Sequence, residues 1–142
     1  MILYLDTSSL VKLYVDEAGS GEVRKLVERA GVVSTSVVAF PEARAAFAWL
    51  AREGTLTPEQ FAFVRRGFLC DWESLFKIRM LKRVYERAGD LAEEHAFCGF
   101  DALHLASFLE LLAQAKSEEV KFSAFDAQLN AAAAAERAER RS

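Results

Sequence analysis

The sequence predicts an α/β fold built on a mostly parallel sheet, and three observations carry that expectation. Short apolar runs alternate with longer segments of helical periodicity along the whole chain. The first run, Ile2 to Leu5, is apolar at every position, as a strand covered on both faces must be. Turn signals are sparse, with two prolines and seven glycines in 142 residues, so no linker divides the chain and one domain over 1–142 is expected.

After the first strand come Asp6 and the hydroxyl cluster Thr7, Ser8 and Ser9, then a helix with Leu10, Leu13 and Tyr14 on one face. The segment EAGSGE breaks the chain, and Ser20 is placed to cap a second helix carrying Val23, Leu26 and Val27. Gly31 ends that helix, and VVSTS reads as the second strand. Helical spacing of Phe40, Ala43, Phe47 and Leu50 predicts a helix over Val38 to Arg52. Thr57-Pro58-Glu59-Gln60 is a start signal, with threonine as cap and proline at the first helical position, for a helix reaching Trp72. SLFKI is a third strand and Met80 to Glu94 a charged amphipathic helix. Gly99-Phe100 leads into DALHLASFLELLAQA, apolar nearly all round and so a buried helix. VKFSAF is the last strand, and the alanine run from Ala131 to Ala135 belongs to a closing helix.

The composition, 52% hydrophobic and 27% charged, is that of a folded globular chain rather than a disordered one. A net charge of -3 argues against broad electrostatic adhesion to nucleic acid, but leaves room for a metal-dependent enzyme acting on it. Cys70 and Cys98 have no paired spacing and are expected as two small buried hydrophobes in a reducing compartment. Asp6 interrupts the first apolar run too early for a signal peptide, and polar residues break every run before membrane-spanning length, so a cytoplasmic protein is expected. Neither GxxxxGK[ST] nor GxGxxG occurs, which excludes those nucleotide-binding sites.

Most of the 21 acids lie on charged helix faces, but four do not. Asp6 ends the first strand, Glu42 sits in the first turns of an apolar helix after the second, Asp101 opens the most apolar helix, and Asp126 follows the last strand. These are the strand ends and helix starts where open parallel sheets place ligands. Asp101 and Asp126 have an ordinary alternative as helix caps. Asp6 is harder to explain that way, because a carboxylate closing a central strand is costly unless paired or metal-bound. Clustered carboxylates repel one another, and a hard divalent cation such as Mg²⁺ is the natural compensation. The chemistry that follows is metal-assisted phosphodiester hydrolysis. A strand ending in aspartate also opens phosphatases of the haloacid-dehalogenase type, but these need a second aspartate where this chain has Ser8.

With LYLDTSSLVKLYVDE, SVVAFPEARAAF, GFDALHLASFLE and FSAFDAQLNAAA in order, the chain resembles a PIN domain, and more narrowly a VapC-type toxin ribonuclease of bacterial toxin–antitoxin pairs. The resemblance implies a PIN-like three-layer α/β/α fold and a Mg²⁺- or Mn²⁺-dependent endoribonuclease acting on structured RNA. It implies Asp6, Glu42, Asp101 and Asp126 as metal-binding catalytic acids, with Ser8, and Thr7 beside it, ordering metal or substrate. A homodimer inhibited by an antitoxin is also implied. One departure stands out: where the family often closes with a short edge strand, this chain ends AERAERRS. The competing reading is a catalytically inactive PIN-like module that binds RNA or a protein partner.

Remaining features have plainer readings. Lys77, Arg79, Lys82, Arg83 and Arg87 read as a solvated face paired with nearby acids, with an RNA-backbone track as the alternative. His104, one turn from Asp101, is expected as a hydrogen-bonded histidine inside a buried helix, with a role beside a metal as the alternative, and His95 as a surface residue. Arg137, Arg140 and Arg141 read as a helix end complementing its dipole. Phe61, Phe63, Phe68, Trp72 and Phe76 read as core or interface.

Overall fold

A computed structural model describes residues 1–116 and 118–142. Four strands, β1 (Ile2–Leu5), β2 (Val32–Ser36), β3 (Phe76–Ile78) and β4 (Val120–Ser123), form one sheet in the order β3-β2-β1-β4. Every pairing is parallel, with Ile2 opposite both Val32 and Val120. The helices are α1 (Thr7–Val11), α2 (Ser20–Arg29), α3 (Ala39–Arg52), α4 (Pro58–Trp72), α5 (Lys82–His95), α6 (Gly99–Gln114) and α7 (Ala127–Arg141). The predicted α/β class with a mostly parallel sheet is therefore what the chain adopts.

β1 explains the three layers. Its residues alternate faces, so Leu3 and Leu5 enter a core with residues of α1 to α4, while Ile2 and Tyr4 enter a second core with α5, α6 and α7. Both sides are closed, which is why the strand carries no charged residue before Asp6. Aromatic packing fixes the first core: Phe47 and Phe68 are fully buried at 5.6 Å and 71°, a pairing worth about 0.5–1.5 kcal/mol beyond burial.

The chain runs outward from β1 through β2 to β3, then returns to place β4 on the other side of β1. The strand order thus reverses between β1 and β4, the switch point at which parallel sheets open a crevice. Asp6 stands there, its N–H donating to Ser123 O at 3.1 Å.

Several local expectations are corrected. α1 is only five residues long and starts in the hydroxyl cluster, so Leu13 and Tyr14 lie beyond it. Gly19, not Ser20, occupies the cap position of α2. Its φ of 93° and the Phe125 ring, 2.5 Å from where a Cβ would sit, both demand glycine, and Ser20 Oγ instead donates to Val15 O. Cys70 and Cys98 are exposed, because one lies on the outer side of α4 and the other at the entry to α6. The closing segment is helical through Arg141. Arg137 and Arg140 do more than complement a dipole: they donate to the carbonyls of Val120 and Leu109 and tie α7 to β4 and α6.

Candidate active site

The switch point gathers an unusual amount of buried polarity. Asp6 is 6% exposed and caps α1, its Oδ1 accepting from Ser9 N at 2.9 Å and Ser8 Oγ at 2.7 Å. Among the described residues no hydrogen bond reaches Oδ2. Burial pushes the Asp6 carboxyl above the ordinary aspartate range, opposed by the Ser9 and Ser8 hydrogen bonds and by His104. Capping and a binding role are thus not exclusive alternatives for Asp6: one oxygen caps and the other is left over.

Glu42 repeats the pattern from the first turn of α3. Its Oε1 accepts from Thr7 Oγ1 at 2.7 Å and lies 2.9 Å from His104 Nε2, while Oε2 has no protein partner among the described residues. His104, 2% exposed on α6, also reaches Thr7 Oγ1 at 2.9 Å and, through Nδ1, the Tyr4 hydroxyl at 2.9 Å. The histidine is hydrogen-bonded inside a buried helix as expected. Its partners are what spacing did not reveal, since Thr7, Glu42 and His104 come from three separate segments. Tyr4 was hidden for a different reason, reading only as an apolar strand residue.

Asp101 and Asp126 stand at the starts of α6 and α7. Asp101 lies in the first turn of α6, one turn before His104 and therefore on the same face, with Cys98 Sγ–H donating to its Oδ2 at 3.3 Å. Cys98, not Asp101, holds the cap position. Asp126 caps α7 by accepting from Leu129 N at 2.9 Å, and the neighbouring Phe125 N donates to Ser8 Oγ at 3.3 Å. Thr7 and Ser8 therefore both touch the acids, each on a different one. No lysine or arginine lies within 4.0 Å of the four carboxylates among the described residues.

Carboxylate oxygens with no protein cation beside them are the donor type a hard divalent ion takes, though no three of the four acids bring ligating atoms mutually within 4.8 Å among the described residues. The only three ligating side chains with donor atoms mutually within 4.8 Å among the described residues lie elsewhere, at Glu94, His95 and Glu136. There Glu136 already accepts from Arg87 at 2.8 Å and meets His95 Nε2 at 3.0 Å. His95 is accordingly half-buried and bonded, not a free surface residue.

Within the basic run Lys82, Arg83 and Arg87 are paired with acids as expected, while Arg79 has no ion pair among the described residues. Lys82 meets Glu86 at 3.6 Å, Arg83 meets Glu110 at 2.6 Å, and Lys77 donates to Trp72 O. Of the aromatic group, Phe68 is core, Phe61 and Trp72 pack partly against it, and Phe63 is 73% exposed.

No protein-family model matches the chain. Two curated relatives from Mycobacterium tuberculosis do, Ribonuclease VapC45 of strain CDC 1551 and Ribonuclease VapC49 of strain H37Rv. Each is 37% identical over 108 residues, covering 76% of this chain and 75% of the relative. Among solved structures, Mycobacterium tuberculosis VapC20, described as a Sarcin-Ricin loop cleaving toxin, superposes with a TM-score of 0.64. It is 18% identical, and the match covers 92% of this chain and 94% of that one.

Proposed function

The chain belongs to the VapC family of ribonucleases, and from that premise we propose that its RNA-cleaving site is the crevice at the end of β1. Asp6, Glu42, Asp101 and Asp126 would hold Mg²⁺ or Mn²⁺ there. When bound, the ion supplies Lewis-acid polarisation of a phosphodiester and a water of lowered pKa. The chain's own residues set the stage for that chemistry. Ser8 and the Ser9 N–H hold Asp6 by one oxygen, leaving Oδ2 without a hydrogen bond among the described residues. Thr7 does the same for Glu42. Asp101 and Asp126 add carboxylates from two helix starts, where backbone N–H groups also favour anionic groups.

One observation carries this reading: buried Asp6 and half-buried Glu42 stand at the switch point with no lysine or arginine within 4.0 Å among the described residues, each holding one oxygen in reserve. Structured RNA is the proposed substrate class, the kind of target named for the fold relative VapC20. The proposal extends to an antitoxin partner, a homodimer and a cytoplasmic setting. Exposed aromatic residues on α3 and α4, Trp49 at 59% and Phe63 at 73%, support a protein-covered surface. No single helix is long and apolar enough to cross a membrane among the described residues.

The test is cleavage of total RNA by purified protein with Mg²⁺ or Mn²⁺. Asp6→Asn and Asp101→Asn are each expected to lose about 100-fold or more in rate, with folding unchanged by circular dichroism. Full activity in both variants would sink the metal assignment. Partner binding by a wild-type protein that cuts no RNA would establish the inactive-module alternative.

A further inference from the structure

We infer that Tyr4 and His104 are positioning residues that fix which oxygen of Glu42 faces the crevice, with Tyr4 setting the imidazole tautomer. The inference rests on the reading of Glu42 as a ligand, and it follows from counting protons in a closed network. Thr7 Oγ1 has one proton, and it goes to Glu42 Oε1. An ionised carboxylate only accepts, so the 2.9 Å approach of His104 Nε2 to the same oxygen requires the proton on Nε2. That N–H is shared with Thr7 Oγ1, which can only accept from it, again at 2.9 Å.

In a neutral imidazole Nδ1 is then the acceptor, and the group facing it is the Tyr4 hydroxyl. The fully buried Tyr4 hydroxyl has one proton to give, and Nδ1 is the acceptor 2.9 Å from it.

The consequence reaches the site. Glu42 Oε1 has both acceptor directions committed, one to Thr7 and one to His104, and Oε2 is the oxygen left for a ligand. Removing the Tyr4 hydroxyl frees Nδ1 to carry the proton. The other tautomer turns an Nε2 lone pair against Oε1, and the carboxylate must rotate or lose its hold. Metal-ligating side chains depend on such outer partners, with typical losses of 10- to 100-fold in affinity or activity.

The test has two readouts in the full-length protein. Long-range ¹H–¹⁵N NMR of the metal-free protein reports the His104 tautomer, and Mn²⁺ titration followed by electron paramagnetic resonance reports ion affinity. The expected wild-type tautomer is Nε2–H, with mixed tautomers in Tyr4→Phe and Mn²⁺ affinity weaker by about 10-fold. His104→Ala is expected to lose at least as much. His104→Gln, which keeps an amide donor, should recover part of it, with the RNA KM unchanged and kcat lowered. An Nδ1–H wild-type ring, or Mn²⁺ affinity unchanged in both folded Tyr4→Phe and His104→Gln, would overturn the inference. Should His104→Ala fail to fold, those two milder variants still decide. Glu42→Gln separates the levels: unchanged Mn²⁺ affinity there overturns the ligand reading itself, whatever the tautomer.

Discussion

Two glutamates in this molecule each accept a histidine at hydrogen-bond distance, and they live under opposite electrostatics. Glu136, 4% exposed by its side chain on α7, meets His95 at 3.0 Å and Arg87 at 2.8 Å. Glu42 meets His104 at 2.9 Å and Thr7 at 2.7 Å, with no lysine or arginine within 4.0 Å among the described residues. Both oxygens of Glu136 are engaged, one by each partner, whereas only Oε1 of Glu42 is. A carboxylate matched by a protein cation is a tie between helices. A carboxylate matched only by neutral donors keeps capacity for something from outside. Among the described residues the tightest trio of ligating side chains, Glu94, His95 and Glu136, is thus one whose glutamate an arginine already matches.

Exchanging the same substitution between the two sites gives the sharpest break. Glu42→Gln is expected to cost about 100-fold in metal-dependent RNA cleavage while leaving the melting temperature nearly unchanged. Glu136→Gln is expected to do the reverse. It removes a charge-assisted pair at a buried position, costing about 1–3 kcal/mol of stability by thermal melting, with activity per folded molecule retained. If both variants lost stability and kept activity, the contrast between tie and ligand would be void.

A smaller effect with a definite sign belongs to Asp6. Its carboxyl titrates above the ordinary range because burial disfavours the charged form. At neutral pH the ionised group therefore subtracts stability, and the deficit fades as pH falls through its raised pKa toward the unfolded value of about 4. Asp6→Asn, which keeps an oxygen for Ser8 and Ser9, should raise the melting temperature in the presence of EDTA. The gain should be largest at neutral pH and shrink on acidification. A variant less stable than wild type at pH 7 would contradict the desolvation account.

How much of this was legible in the sequence depends on the range over which each signal acts. Local signals were read well. Thr57-Pro58 starts α4 with a capping box, and VVSTS is β2 to the residue, because caps, prolines and apolar runs act within a few positions. The four acids stood out because charge at the end of an apolar run is itself a local anomaly. Contacts at long separation were not legible. Tyr4 and His104 are 100 positions apart, and nothing in either neighbourhood announces their hydrogen bond. The exposed cysteines failed for a related reason: small apolar residues are usually buried, but which face of α4 reaches water is decided by the neighbouring core.

The smallest expected effect compares two ion pairs on one helix. α5 offers Arg83 to Glu110 at 2.6 Å and Arg87 to Glu136 at 2.8 Å, near-equal distances with different surroundings. The Arg83 hydrogen bond lowers the Glu110 pKa, so that pair contributes stability above the ordinary glutamate range and loses it as pH falls through the lowered value. Arg83 is itself solvated, and water and salt already screen most of its attraction. Arg83→Ala should therefore shift the melting temperature slightly at neutral pH, less in high salt, and not at all below the Glu110 transition. Arg87→Ala should cost more, and its cost should resist salt, because Glu136 cannot turn to water when its partner is gone. Equal, salt-sensitive losses from both would mean that α7 holds Glu136 loosely enough for solvent to replace the arginine.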